Sequence, residues 1–243
     1  MHNTKNGFEK IEAVTFDAYG TLLHVDRVIE RLRDELSKIG ITTPFEAVQN
    51  AFLTEVGYYK AHHLEAKDPD RLLDLRHRCA EVLFDKLAEQ GYAGELSPEQ
   101  KLAVLIEGIH FKLHEDVLLV LEWCKSKGLM TGVISNWDCS LPEILNDRLD
   151  RHRFDVIMVS AIEGINKSDP AMFYRAAERL GLSPSRILHV GDEMENDLHS
   201  PQKAGWNAVL LDREGHRKGI EGPSIRSLTD LPSTIEEMLY HRP

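Results

Sequence analysis

Cysteine is scarce in this 243-residue sequence: Cys79, Cys124 and Cys139 are the only three, with no CxxC pair and no metal-ligand spacing. A disulfide framework is therefore excluded as a source of stability, and a sparse, odd set of thiols fits a reducing compartment. Cys79 and Cys124 fall on apolar helical positions, which predicts buried packing for both. Long apolar runs are also missing. None approaches the ~20 residues needed to cross a bilayer, and the opening MHNTKNGFEK lacks the apolar centre of a leader peptide. Positive charge is in deficit, with a formal net charge of -11. That balance argues against nucleic acid or an anionic membrane as a partner, because nothing offsets phosphate repulsion. A small phosphorylated molecule needs only a local cation and stays open. The expectation is a soluble cytoplasmic protein; the sequence carries no signal for an oligomeric state.

What is present is ordinary globular composition, 42% hydrophobic and 28% charged, in a chain long enough to bury a core unaided. A first apolar strand, AVTF, ends at Asp17. The pattern then turns helical. Val28, Ile29, Leu32, Leu36 and Ile39 recur at three-to-four spacing before Gly40, where a helix would stop. Pro44 suits the first turn of a second helix. Leu72, Leu75, Cys79, Val82, Leu83 and Leu87 mark a third, ended by Gly91. Ser97 in SPEQ is a plausible N-cap for a fourth. Residues 24–111 read as helical throughout, with no strand.

From about residue 115 helices and strands alternate: LMTGVIS, FDVIMVSA, RILHVGD and NAVLLD are separated by helical stretches. This rhythm predicts an α/β fold, a doubly wound parallel sheet covered on both faces, with an inserted all-helical segment after the first strand. The expected division is a core of residues 1–23 and 112–243 and a helical cap of residues 24–111. Ligands in such sheets bind beyond the carboxyl ends of the strands, and the insertion leaves the core at that edge.

The strand ends carry polar residues: Asp17, Ser135 beside Asn136, Lys167 a little downstream of its strand, and Asp192 with Asp197 in GDEMEND. A lone acid after a strand is usually a turn or cap; four such ends at one sheet edge suit phosphoryl transfer. Asp17 can attack phosphorus, dividing one difficult displacement into two easier ones. Asp192 and Asp197 offer hard oxygen ligands for Mg2+. Lys167 can neutralise charge on the phosphoryl group, while the Ser135 hydroxyl and nearby amides hold its oxygens.

FDAYGTLL, VISNWD, KSDPAMFYRAAERLG and VGDEMENDLHSPQKAGW, in that order, resemble the four motifs of the haloacid dehalogenase superfamily of hydrolases. The resemblance implies a Rossmann-like core with a mobile helical cap. It implies Asp17 as nucleophile and Lys167 as the charge-neutralising catalytic lysine. Gly20, Thr21, Ser135 and Asn136 become the expected substrate-binding residues, with Thr21 supporting the nucleophile loop. Asp17, the Tyr19 carbonyl, Asp192 and Asp197 become the expected Mg2+ ligands, and the expected substrate is a small phosphorylated metabolite.

Tyr19 departs from that pattern. The superfamily's phosphatases usually have a second Asp there, which protonates the leaving oxygen and helps activate water. A phenol can donate a proton but is a poor base at neutral pH. DAYGTL also resembles the superfamily's L-2-haloacid dehalogenases, which attack carbon and expel a halide that needs no proton. Their fourth motif resembles SSNxxD, whereas this chain has GDEMEND, which favours the phosphatase reading. A non-catalytic phosphate- and magnesium-binding protein is the third reading. Ser168 in KSDP is a minor departure that leaves the lysine in place. His24 and Asp26 follow the first motif and are candidates to replace the missing acid. Tyr58, Tyr59 and Lys60 are candidates to face the site, although helix packing against neighbours is the better explanation of such aromatics. The adjacent His62 and His63 point different ways on a helix and read as a solvated surface.

Overall fold

The computed structural model describes residues 10–92, 94–149, 154–217, 219 and 222–240. Residues 1–9 of the stretch read for a leader, and His241 and Arg242 at the end of the last amphipathic segment, lie outside these. β1 (Ala13–Phe16) is the centre of a six-stranded sheet, with β4 (Met130–Ser135) and β5 (Val156–Val159) on one side. β6 (Ile187–Gly191), β7 (Asn207–Leu211) and β8 (Ser224–Ile225) lie on the other, and every pairing is parallel. The order β5-β4-β1-β6-β7-β8 is that of a doubly wound sheet whose winding reverses between β1 and β6. Phe16 stands in register with Val133 and Val190, so the residues after all three strands emerge at one edge.

Strand side chains alternate between two cores. Val14 and Phe16 join Val133, Leu188 and Val190 against Val120, Leu121 and Cys124 of α5 (Val117–Ser126) and Leu145 of α6 (Leu141–Arg148). Ile235 of α10 (Leu231–Tyr240) completes that layer. Ala13, Ile134, Met158 and Ile187 face Met172, Phe173 and Ala176 of α8 (Ala171–Leu180) on the opposite side. Two short helices, α7 (Ser160–Glu163) and α9 (Ser200–Lys203), follow β5 and a π-helical turn over Met194–His199. The helix expected near residues 196–204 is thus divided between a π-turn and a single α-turn.

The inserted segment forms α1 (Val28–Lys38), α2 (Phe45–His62), α3 (Pro69–Glu89) and α4 (Pro98–Gly108). Leu32, Leu36, Val48, Ala51, Leu83, Leu87 and Val104 make its own apolar centre. α4 opens on the full capping box of Ser97 and Gln100. It closes on Gly108, where a Cβ would stand 2.3 Å from Leu32, so only glycine lets α1 and α4 approach this closely. Cys79 and Cys124 are buried as expected.

The strand-free reading of residues 24–111 needs correction. β2 (Leu23–Val25) and β3 (Phe111–Leu113) pair antiparallel, Leu23 with Leu113 and Val25 with Phe111, where the chain leaves and re-enters the core. Both expected break points, 23/24 and 111/112, fall within this ribbon. Three residues are too few to carry a period-two signal, so pairing across the insertion makes these strands. Among the described residues, no helix is long and apolar enough to cross a membrane.

Candidate active site

The loop after β1 is tied down by its backbone. The Asp17 amide donates to the Val190 carbonyl at 2.9 Å, and the Leu22 and Leu23 amides return to the Ala18 carbonyl at 2.9 and 2.7 Å. Gly20 has φ +83°, and a Cβ on it would lie 2.7–2.8 Å from the Asp192 carboxylate atoms. Glycine is required there both by backbone angle and by crowding. Thr21 is fully buried; its carbonyl accepts from Arg213 at 2.8 Å, and its hydroxyl has no hydrogen-bond partner among the described residues. Gly20 and Thr21 shape the loop without lining the cavity above it.

Lys167 reaches the strand ends from the segment after α7. Its buried ammonium donates to Asp17, to Asp197 at 2.6 Å and to the Ile134 carbonyl at 3.2 Å. The Asn136 side chain fixes this segment by accepting from the Lys167 amide at 2.7 Å. Ser160 Oγ both accepts from the Trp137 amide and donates to its carbonyl, at 3.0 and 3.1 Å, so the turn carrying Ser135 and Asn136 is anchored on the first residue of α7.

Asp197 projects from the π-turn toward Gly191, where a Cβ would stand 2.2 Å from its carboxyl carbon. With no exposed surface, it accepts from Lys167 and from His189 Nε2 (3.0 Å) on one oxygen and from the Glu193 amide (2.8 Å) on the other. Asp192 differs. Its Oδ1 is buried without a partner among the described residues, and its Oδ2 has only Arg217 at 3.9 Å. One oxygen each of Asp17, Asp192 and Asp197 lie within 4.8 Å of one another, an arrangement that can hold a metal ion.

Burial, reinforced by Asp197 and Asp192, pushes the Asp17 carboxyl up to about 7 against the pull of Lys167. Burial, with Asp197 and Glu193, likewise pushes Asp192 up to about 6. Asp197 goes the other way: burial opposes its ionisation, but Lys167 and His189 hold it well below the usual carboxylate range. Burial keeps His189 neutral, which assigns its Nε2–H to Asp197 and leaves Nδ1 to accept from the Thr15 hydroxyl at 2.8 Å. His189 escaped the sequence reading, although a histidine inside an otherwise apolar central strand is itself a signal.

A cavity of about 730 Å3 opens between this edge and the helices. Asp17, Tyr19, Ser135, Asn136, Lys167 and Asp192 line its floor. Tyr19 is 47% exposed, its ring 6.5 Å from that of Trp137; burial and Asp192 raise its phenol above its ordinary value, so it stays protonated. Tyr59 and Lys60 do face the site. The Tyr59 hydroxyl donates to Asp138 at 2.8 Å and accepts from its amide at 3.2 Å, while Lys60 pairs with Glu193 at 3.7 Å. Tyr58 turns away, onto His62 and Arg78. His62 is an exposed-side residue paired with Glu65, whereas His63 is buried and lines the cavity, against the solvated reading. His24 and Asp26 do not line it: His24 stacks on His114 at 4.7 Å, and Asp26 is held by Arg31 and Lys112, both at 2.9 Å. His24 is paired in the ribbon and Asp26 follows directly after it, and neither reaches the cavity.

A haloacid dehalogenase-like hydrolase family profile matches residues 11–205. A haloacid dehalogenase-like hydrolase domain-containing protein 3 from Danio rerio is 31% identical over 159 residues. That match covers 64% of this chain and 62% of the relative, less than two thirds of its length. A glyceraldehyde 3-phosphate phosphatase from Methanopyrus kandleri is 26% identical over 87% of this chain and 88% of its own. The crystal structure of a 2-haloacid dehalogenase from Pseudomonas syringae superposes with a TM-score of 0.61 at 27% identity, covering 94% of this chain and 99% of that one. With the parallel sheet, the four strand-end residues and a profile match over most of its length, the chain belongs to the haloacid dehalogenase-like hydrolases.

Proposed function

We propose that the protein is a magnesium-dependent hydrolase of a small phosphorylated metabolite, acting through an aspartyl-phosphate on Asp17. The observation that carries this reading is Asp192 Oδ1, a buried carboxylate oxygen without a partner among the described residues, beside Asp17 and Asp197. Hard oxygens with an unmet valence suit a small divalent cation, and attack on carbon has no need of one. The phosphatase relative agrees with this reading. Asp17, Asp192 and Asp197 would hold the ion, with the Tyr19 carbonyl as a further ligand. Bound there, Mg2+ would neutralise the charge of the attacking carboxylate and of the phosphate.

This chain's own residues supply the rest. Asp17 attacks phosphorus from the strand end, and its bond to phosphorus forms as the leaving oxygen departs. Lys167, fixed by Asp197 and the Ile134 carbonyl, keeps the nucleophile in place and offsets its charge. Ser135 and the adjoining amides take the phosphoryl oxygens. The Tyr19 phenol can protonate a leaving oxygen but draws a proton from water poorly, so acyl and aryl phosphates are favoured over alkyl esters.

Phosphate release from acetyl phosphate and 4-nitrophenyl phosphate, with Mg2+ and with a chelator, tests the proposal. Release only with Mg2+, together with a beryllofluoride adduct on Asp17, is the expected result. One observation favours a second reading: a tyrosine stands where the phosphatases' second acid would be, and a dehalogenase shares the fold. Chloride release from 2-chloropropionate in chelator, without phosphate release, would establish dehalogenation instead. Tyr19→Asp sharpens the choice. The position is half exposed and accepts the smaller side chain, and a restored carboxylate is expected to raise turnover of an alkyl phosphate relative to acetyl phosphate by about 10²-fold. An unchanged ratio removes the account of Tyr19.

A further inference from the structure

The cavity has a second end, and its chemistry differs from the floor. Val25, Phe52, Val56, Leu75, Leu105 and Ile109 make an apolar wall contributed by the ribbon, the helices and the segment after α4. One carboxyl interrupts it. Glu55 of α2 lines the same cavity and is only 4% exposed. It lies one helical turn before Tyr59, so both project from one face of α2 toward the site.

Glu55 is unlike other buried acids of this chain. Asp17 and Asp197 share Lys167, and Asp116 meets Arg213 at 2.8 Å together with the Ser227 hydroxyl and the Leu228 amide. Among the described residues Glu55 has no ion pair and no backbone donor; the thiol of Cys79 hydrogen-bonds its carboxyl. Arg76 lines the same cavity, but among the described residues it forms no ion pair with Glu55. Burial pushes the Glu55 carboxyl up to about 7, so at neutral pH it stands ready to ionise against an incoming positive charge. A carboxyl with only a thiol donor and no cation in an apolar wall is costly to fold, and a ligand cation is the partner that offsets the cost.

We propose that Glu55 recognises an amine on the substrate's leaving group, and that the substrate is a phosphate ester of a largely apolar, amine-bearing phenol. The inference rests on the hydrolase reading above and extends it. A phosphate seated at Asp17 leaves most of the 730 Å3 cavity to the leaving group, far more than a triose would fill. Apolar walls accept its carbon skeleton, and Glu55 meets its ammonium at the helical end. Specificity arises because an analogue without the amine leaves the carboxyl buried and unpaired.

The test compares 4-(2-aminoethyl)phenyl phosphate with 4-propylphenyl phosphate, which differ in the terminal amine, with acetyl phosphate reporting chemistry at the floor. The expected kcat/KM ratio favours the amine by about 10-fold or more, the scale of a charge-assisted hydrogen bond. Glu55→Gln is expected to collapse that ratio toward one, mainly through KM. Calorimetric binding of the phenols 4-(2-aminoethyl)phenol and 4-propylphenol reads the same preference without turnover. If acetyl phosphate is hydrolysed but neither ratio favours the amine, or Glu55→Gln leaves the preference intact, the Glu55 inference is wrong and the hydrolase reading stands. If no phosphate ester or acyl phosphate is hydrolysed, the hydrolase reading fails. An amine preference in the calorimetry, lost in Glu55→Gln, then upholds the recognition site by itself, and its absence removes that too.

Discussion

Asp17→Asn is expected to abolish turnover, by on the order of 10⁴-fold or more, while the protein folds at least as well as before. The amide has nearly the carboxyl's shape but cannot attack phosphorus. Lys167 is not stranded by the change, because it keeps Asp197 at 2.6 Å and the Ile134 carbonyl at 3.2 Å. Stability should move in the opposite direction to activity. The Asp17 carboxyl is raised by burial from 3.8 to about 7 in the folded chain. Folded protein thus retains a proton over a pH range in which the unfolded chain has lost it. A raised carboxyl contributes most below its unfolded value near 4, and that contribution is lost as pH rises through 7. Asparagine removes this loss. In metal-free protein the melting temperature of Asp17→Asn is expected to exceed that of the unaltered chain at pH 8, by several degrees, since about 1 kcal/mol corresponds to roughly 2–4 °C in a chain this size. The gap should close toward pH 4. Retained hydrolysis would exclude Asp17 as nucleophile, and a pH-independent gap would exclude a raised carboxyl as its cause.

Lys167→Met is expected to injure both fold and activity. Lys167 is 2% exposed, and its ammonium is shared by Asp17 and Asp197. Methionine fills similar volume but leaves two buried carboxylates facing each other, with Asp192 close by. Breaking a buried pair in this way costs about 3–5 kcal/mol. Without the lysine both acids are forced upward in pKa, so stability should return as pH falls and they protonate. Melting at pH 8 and pH 5, with and without Mg2+, separates the causes: a large deficit at pH 8, reduced at pH 5 and reduced again by Mg2+, is expected. Equal deficits under all conditions would point to packing rather than charge. Activity should remain low, roughly 10³-fold down, even where Mg2+ restores the fold, because the nucleophile loses the group that orients it.

Lys167 also shows what could be read without a structure. Its distance from β5 in sequence gave no measure of where its ammonium would stand, yet order and residue type were enough to group it with Asp17, Ser135 and Asp192. Parallel strands put their carboxyl ends at one edge, so consecutive strand-end residues converge by topology alone. His24 and Asp26 failed that logic because closeness in sequence to Asp17 is not closeness in space once β2 pairs with β3. His63 failed because a helical period assigns a face, but not whether another element covers it. Glu55 was invisible for a related reason: on α2 it reads as one more charge, and only the packing around it leaves it without a counter-ion among the described residues.

By itself the sequence determined the parallel α/β core, the helical insertion after β1, and the residue types at the strand ends. Each of these is written in local periodicity and in the order of elements, which short-range physics decides. Tertiary structure alone decided the ribbon at the insertion's ends, the sharing of Lys167 by two acids, the unmet oxygen of Asp192 and the solitary carboxyl of Glu55. Those depend on which groups distant in sequence come within reach and which stay away from water, and no local pattern encodes that.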